Sequence, residues 1–83
     1  MIYLIFTAEG FDEAEGIILE NKAVLWVNDN VLTDQQSQQL KMANIKVNIL
    51  TDNADPSNEK SVLSALRQVE QQSPQDKIFI EYH

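Results

Sequence analysis

The sequence predicts an α/β domain, a βαβαβαβ three-layer sandwich with a four-stranded, mainly parallel sheet. Two observations carry this prediction: four apolar runs of strand length recur along the chain, and segments with helical periodicity separate them. Helical crossovers join parallel strands and are right-handed, so helices are expected on both faces of one sheet. The 83 residues contain no visible linker or internal repeat, so residues 1–83 are predicted to form a single domain.

The predicted strands differ in how completely apolar they are. In chain order they are residues 1–6, 23–27, 45–50 and 78–82. The first two runs are apolar on both alternating faces, as in central strands of a parallel sheet, and Trp26 is expected in the core. The last two runs include Lys46, Asn48 and Glu81, so they are expected to be partly exposed at the edges of the sheet.

The first two helices are predicted from periodicity and from capping residues. The first covers roughly residues 11–20, and its buried side is expected to contain Phe11, Ala14, Ile17 and Ile18. The second begins with a capping box formed by Thr33 and Gln36, carries Gln36, Leu40 and Ala43 on one side, and ends near Asn44.

The third helix is predicted to begin at Asp55-Pro56, with Asp55 as the N-cap and Pro56 at the first helical position. Apolar residues then recur at spacings of three and four, which indicates one buried stripe: Val62, Leu63, Leu66 and Val69. Ser73-Pro74 is expected to end this helix.

The charge balance restricts the class of partner. Thirteen acidic residues against six basic ones give a net charge of −7, and the basic residues are dispersed along the chain. Nucleic acids and anionic membranes attract basic surfaces, so direct binding to either is not expected. A protein partner or a homo-oligomer is the expected mode of interaction, and a basic partner would suit the charge.

The absence of cysteine excludes a disulfide framework, a thiolate nucleophile and a persulfide carried by this chain. The longest apolar run, residues 1–6, is far shorter than the roughly 20 residues of a membrane span, and no charged segment precedes it as in a signal peptide. A cytoplasmic location is therefore expected. Gly10 and Gly16 are the only glycines, so no phosphate-binding loop is predicted, and the single histidine, His83, is expected to be part of a terminal tail.

Acidic residues follow the first three predicted strands, at the end of the sheet where parallel α/β folds bind ligands. They are Glu9, Asp29, Asp52 and Asp55. Carboxylates that converge there would bind magnesium through oxygen atoms, although the same residue types are common in turns and helix caps. Without that metal, no cofactor is expected.

This pattern resembles the Toprim fold, in which a glutamate and an Asp-x-Asp pair bind magnesium for nucleic acid cleavage or synthesis. Glu9-Gly10 follows the first strand, and Asp52 and Asp55 follow the third. The two aspartates are three residues apart instead of two, and no lysine or arginine accompanies them. A magnesium-dependent phosphotransfer or nuclease domain is the alternative that this resemblance implies.

The strand segments also resemble the DsrH/TusB branch of the DsrE-like sulfur-relay family. The similar segments are residues 1–5, 24–31, 45–52 and 76–82. In that branch the subunit lacks the sulfur-carrying cysteine and assembles with cysteine-bearing relatives in a relay toward thiolation of the tRNA wobble uridine. The resemblance agrees with the absence of cysteine, whereas no Ala-Arg-Gly segment follows the third strand here.

The function expected from these observations is that of a non-catalytic interaction subunit in sulfur relay. The magnesium-dependent domain is the rival hypothesis. A third hypothesis is an acidic protein-binding module that mimics nucleic acid, which would require carboxylates spread over one surface.

Overall fold

Strands and helices alternate along the whole described chain, which comprises residues 1–81 of the computed structural model. The elements are β1 (Ile2–Ile5), α1 (Ala8–Asn21), β2 (Val24–Val27), α2 (Asp34–Met42), β3 (Val47–Ile49), α3 (Glu59–Gln72) and β4 (Ile78–Ile80). The predicted βαβαβαβ order is confirmed. The expectations for Tyr82, as the end of the fourth strand, and for the tail residue His83 lie outside the described residues.

The four strands form one sheet in the order β3-β2-β1-β4, and every neighbouring pair is parallel. The more apolar strands β1 and β2 are central, whereas β3 and β4 lie at the edges, as predicted. Strands β1, β2 and β3 are added to the sheet in one direction. The last crossover then returns past β2 and β1, so β4 is added on the other side of β1. The switch point therefore lies between β1 and β4.

Hydrophobic side chains fill both faces of the sheet, which gives three layers. On one face Phe11 and Ile18 of α1 and Leu40 of α2 pack against the sheet. On the other face Ala65 and Val69 of α3 do so. This division follows from the strand order, because right-handed crossovers that run in opposite directions place their helices on opposite faces.

Alternate residues of β1 point into these two cores: Ile2 and Leu4 lie on the α3 side and Ile5 lies on the α1 side. The Trp26 side chain is 6% exposed in the α3-side cluster, so its predicted core position is confirmed.

Helix α1 starts earlier than predicted because Thr7 is its N-cap. The Thr7 hydroxyl accepts a hydrogen bond from the Gly10 backbone N–H, so residues 8–10 form the first helical turn. Ile17 was expected in the buried face, but 47% of this residue is exposed, which corrects that prediction. The predicted capping box of α2 is confirmed, with both reciprocal bonds between Thr33 and Gln36 present.

The predicted start of α3 at Asp55 and Pro56 is wrong. Asn58 is the N-cap, and its side chain accepts a hydrogen bond from the Ser61 N–H. The Asp55 carboxylate instead binds the backbone and hydroxyl of Ser57, which makes Pro56 part of a turn before the helix. The predicted stop at Ser73 is confirmed as the C-cap.

The buried stripe of α3 also differs from the prediction. Val69 and the unpredicted Ala65 are buried, and Val62 and Leu66 pack beside them. Leu63 is 46% exposed, because it lies at the margin of the helix beside the open strand β4. None of the helices within residues 1–81 has the length and apolar character needed to cross a membrane.

Candidate functional site

The switch point between β1 and β4 is the place in this fold where a ligand is expected. Helix α1 begins shortly after β1 with Thr7 as its N-cap, so the N-terminal end of the helix lies at this point. A helix N-terminus favours negative charge because its peptide dipoles point their positive ends outward. The local structure therefore provides an anion-binding corner beside the end of β4.

The carboxylate of Glu81 occupies this corner. Its Oε1 atom accepts hydrogen bonds from the backbone N–H of Phe6 at 2.8 Å and of Thr7 at 3.0 Å. Its Oε2 atom accepts the Thr7 hydroxyl at 2.6 Å. Glu81 follows β4 directly and continues its pairing, because its own N–H donates to the Leu4 carbonyl oxygen at 3.0 Å.

Gly10 makes the close approach of Glu81 possible. A β carbon at position 10 would overlap all three atoms of the Glu81 carboxyl group. Gly10 is buried in the first turn of α1, and its N–H is bound by the Thr7 hydroxyl. Thr7 thus donates to Glu81 and accepts from Gly10, which joins the helix cap and the end of β4 in one hydrogen-bonded unit.

A second polar unit joins the carboxyl ends of β1, β2 and the segment after β3. The Asn28 side chain is 5% exposed and donates to the carbonyl oxygens of Phe6 at 3.0 Å and Ala54 at 2.8 Å. Its Oδ1 atom accepts the Ala54 N–H at 2.7 Å. Asn28 therefore satisfies backbone groups that would otherwise be buried without partners.

The two units form a continuous polar rim across the sheet, defined here as the carboxyl rim: Phe6, Thr7, Gly10, Asn28, Ala54 and Glu81. Phe6 belongs to both units, since its N–H binds Glu81 and its carbonyl oxygen binds Asn28. Among residues 1–81, every buried side-chain nitrogen or oxygen has a hydrogen-bond partner. Within this part of the chain the rim is stabilised by its own groups.

The four carboxylates predicted as metal ligands lie around this rim, and all are exposed. Glu9 lies in the first turn of α1. Asp29 and Asn53 bind each other, since Asn53 Oδ1 accepts the Asp29 N–H at 3.0 Å and Asn53 Nδ2 donates to Asp29 Oδ1 at 2.9 Å. Asp52 follows β3. Within residues 1–81 no three histidine, aspartate or glutamate side chains form a group that could hold a metal ion, so the structure does not bring the four together.

Asp55, the fourth candidate, has a local structural role. The Ser57 hydroxyl and then the Ser57 backbone N–H donate to its carboxylate, and both bonds lower the pKa of Asp55 below its ordinary value of 3.8. Its own N–H donates to the Ser61 hydroxyl at 2.8 Å. Asp55 thereby organises the turn that precedes α3.

The sequence prediction did not identify the role of Glu81 or that of Asn28. Glu81 was expected to be a partly exposed residue of an edge strand, and no role was predicted for Asn28. A usable signal was present for Glu81, because an acidic residue at the carboxyl end of one strand faces any helix that starts beside it. No local pattern distinguishes Asn28 from an exposed asparagine.

Fold and site together define a small doubly wound α/β protein in which the anion-binding corner at the switch point is occupied by its own carboxylate. A scan of protein-family models finds none that matches the chain. Comparison with curated proteins and with solved structures also finds no significant match. The resemblances to the DsrE-like family and to the Toprim fold stay predictions.

Proposed function

We propose that this chain is a non-catalytic interaction domain that binds a protein partner along the open edge of β4. The observation that carries the proposal is the position of Glu81, whose carboxylate occupies the anion-binding corner of the crevice in which folds of this type bind their ligands. An external anion would have to displace a carboxylate held by two backbone N–H groups and a hydroxyl. We therefore assign binding to the open edge of β4, the strand that Glu81 follows.

The surface around β4 supports this assignment. Strand β4 consists of Ile78, Phe79 and Ile80. Each of these residues is only partly buried, because the strand lies at the edge of the sheet. Leu63 lies beside Ile80 with 46% of the residue exposed. An apolar edge strand with grooves on both sides is the surface on which proteins add a strand from a partner.

The resemblance to the DsrH/TusB branch supplies the cellular context of the proposal. In that context this chain positions a cysteine-bearing DsrE-like subunit, and the partner's cysteine carries the sulfur. The absence of cysteine here agrees with such a division of roles.

A matched pair of variants tests the proposal. Leu63→Glu places a charge beside β4, whereas Ile17→Glu places the same charge on α1 at nearly equal exposure, 46% against 47%. Each variant is immobilised and exposed to purified DsrE-like subunits and to an extract of the source cells. We expect Leu63→Glu to lose the bound protein and Ile17→Glu to retain it.

A cellular readout makes the test specific to sulfur relay. Cells that lack the gene are expected to lose thiolation of the tRNA wobble uridine, and the wild-type gene and Ile17→Glu are expected to restore it. Restoration by Leu63→Glu to the same level would rule out the β4 edge as the functional surface. Unchanged thiolation in the deletion strain would remove the sulfur-relay context and leave the binding result to stand alone.

A further inference from the structure

The main-chain N–H and C=O groups of β4 point alternately toward β1 and toward the open edge of the sheet. Ile2 N–H donates to the Lys77 carbonyl oxygen at 2.9 Å, and Glu81 N–H donates to the Leu4 carbonyl oxygen at 3.0 Å. Successive residues of a strand direct their polar groups to opposite sides. The N–H and C=O groups of Ile78 and Ile80 therefore point away from β1, and no other strand of the described chain pairs with them.

Mainly apolar grooves border this edge on both faces of the sheet. On the α1 face the groove is lined by Tyr3, Ala14 and Phe79 together with Glu13 and Glu81, and the rings of Tyr3 and Phe79 stack at 5.0 Å between centroids. On the α3 face the groove contains Leu63 and Ile80. β4 is short, with three residues between Lys77 and Glu81, but no proline or charged side chain interrupts it between Ile78 and Ile80.

The charged residues on either side of β4 have opposite signs, so they are complementary to those of a second β4 that runs in the opposite direction. Lys77 precedes the three apolar residues, and Glu81 follows them. The segment is thus locally neutral, although the chain has a net charge of −7. When the segment is laid antiparallel to itself about Phe79, Lys77 comes next to the negative charge of Glu81 at both ends, while the Glu81 carboxylate keeps its hydrogen bonds to Phe6 and Thr7. A parallel arrangement in register would place like charges opposite each other.

We infer that a second copy of this chain binds to the β4 edge, with the two β4 strands antiparallel about a two-fold axis at Phe79. The inference rests on the proposed function, which places binding at the β4 edge, and it assigns that edge to a second copy of this chain in place of a DsrE-like subunit. Antiparallel pairing by a two-fold axis is isologous, so the same edge is used in both copies and no free edge remains there. The two sheets become one continuous sheet.

The register of this pairing agrees with the direction of the main-chain groups. Ile78 lies opposite Ile80 of the second copy, and these residues exchange N–H···O=C bonds because their polar groups already point outward. Phe79 lies opposite Phe79 of the second copy at a non-hydrogen-bonded position, where Cα atoms approach to about 4.5 Å. Lys77, whose Nζ lies 5.3 Å from the centre of the Phe79 ring, lies beside Glu81 of the second copy on the same face.

A single-cysteine experiment tests the register directly, because the natural chain contains no cysteine. Phe79→Cys places two thiols across the proposed axis at a separation that a disulfide can span. Ile49→Cys is the matched control, since Ile49 is 50% exposed on the opposite edge strand β3. With added oxidised glutathione, Phe79→Cys is expected to form a covalent dimer rapidly and Ile49→Cys only slowly.

Sedimentation of variants that contain no introduced cysteine supplies a second measurement, that of the monomer–dimer equilibrium. Lys77→Glu places like charges opposite each other at both ends of the pairing and is expected to weaken dimerisation about tenfold. Lys46→Glu changes the charge equally beside β3 and is expected to leave the dimer intact. Ile78→Pro removes an outward N–H without breaking the pairing to β1, and is expected to abolish the dimer while circular dichroism stays unchanged.

The outcomes separate this inference from the proposed function. A wild-type protein that sediments as a monomer at every concentration, or equal cross-linking of Phe79→Cys and Ile49→Cys, overturns the second copy as the occupant. If a different protein then binds the wild type and not Ile78→Pro, the proposed function survives without the dimer. If Ile78→Pro changes neither self-association nor partner binding, both are wrong.

Discussion

A β carbon at position 10 would overlap the carboxylate of Glu81, so the glycine at the start of α1 and the glutamate at the end of β4 form one structural pair. The pair links the beginning of the chain to the last described residue. Its consequence is that the anion-binding corner at the switch point is occupied by a group of the chain itself, and several properties of the protein depend on that contact.

Gly10→Ala is expected to destabilise the protein by about 2 kcal/mol, because the methyl group displaces Glu81 from its charge-assisted hydrogen bonds. Gly16→Ala is the control, since a β carbon there meets nothing within 4 Å and alanine favours a helix interior by about 1 kcal/mol. Urea denaturation measures both. Equal stabilisation by the two substitutions would show that the Glu81 side chain moves away from the added methyl group without a loss of stability.

Thr7 and Glu81 are expected to be energetically coupled. Thr7→Ala removes the helix cap and the hydroxyl that donates to Glu81, whereas Glu81→Ala removes the acceptor. In a double-mutant cycle the coupling free energy is expected to be about 1 to 2 kcal/mol. Thr7→Ser keeps the hydroxyl and should retain most of the coupling. Additive effects of the two alanine substitutions would contradict the hydrogen-bonded unit.

Asn28 is expected to be among the most sensitive polar positions of the rim. Asn28→Ala leaves the N–H and C=O of Ala54 buried without a partner, and a loss of about 3 kcal/mol of stability is expected. Asn53→Ala also removes two hydrogen bonds, but these are exposed, so a change within about 0.5 kcal/mol is expected. Thermal denaturation of both variants is the measurement, and similar melting temperatures would contradict the assignment.

The pKa of Asp55 depends on Ser57. Because the folded-state pKa of Asp55 is lowered, the Asp55 turn contributes stability above pH 3.8, and the contribution is lost as pH falls through the lowered pKa. Ser57→Ala is expected to raise the pKa of Asp55 toward 3.8, as measured by NMR titration of its carboxyl carbon. Ser64→Ala, an exposed serine in α3, should leave that pKa unchanged.

A manganese titration tests the Toprim-like alternative. Because the four candidate carboxylates do not form a metal-binding group within residues 1–81, only weak and non-localised broadening of NMR signals is expected. Tight binding that is lost in Glu9→Ala and kept in Glu13→Ala, an equally exposed change on α1, would instead support a magnesium-dependent enzyme.

Local pattern was sufficient for the type and order of the elements. The apolar runs of β1 and β2 and the polar interruptions of β3 and β4 indicated which strands are central and which are edges, because burial on both faces requires apolar residues at successive positions. The capping box of Thr33 and Gln36 was predicted for a similar reason, since its bonds span only three residues.

Competing local signals were decided by packing. The sequence predicted a helix start at Asp55-Pro56, but the structure uses Asn58 as the N-cap while the Asp55 carboxylate binds Ser57. The helix that begins at Asn58 places Ala65 and Val69 in the core and leaves Leu63 at the margin. The periodicity of one helix does not indicate where a neighbouring edge strand lies. Leu63 was therefore predicted to lie in the buried stripe of α3, although it lies at the margin of the helix.

The sequence by itself determined an acidic, cysteine-free α/β chain with central and edge strands in the observed places. Only the tertiary structure decided that Glu81 meets Thr7, a residue 74 positions away, and that Asn28 joins three segments of chain. The physical reason is that hydrophobic periodicity is a local property, whereas a hydrogen bond between strand ends depends on strand order. The parallel pairing of β4 with β1 turned an expected surface glutamate into the anion that occupies the N-terminal end of α1 at the switch point.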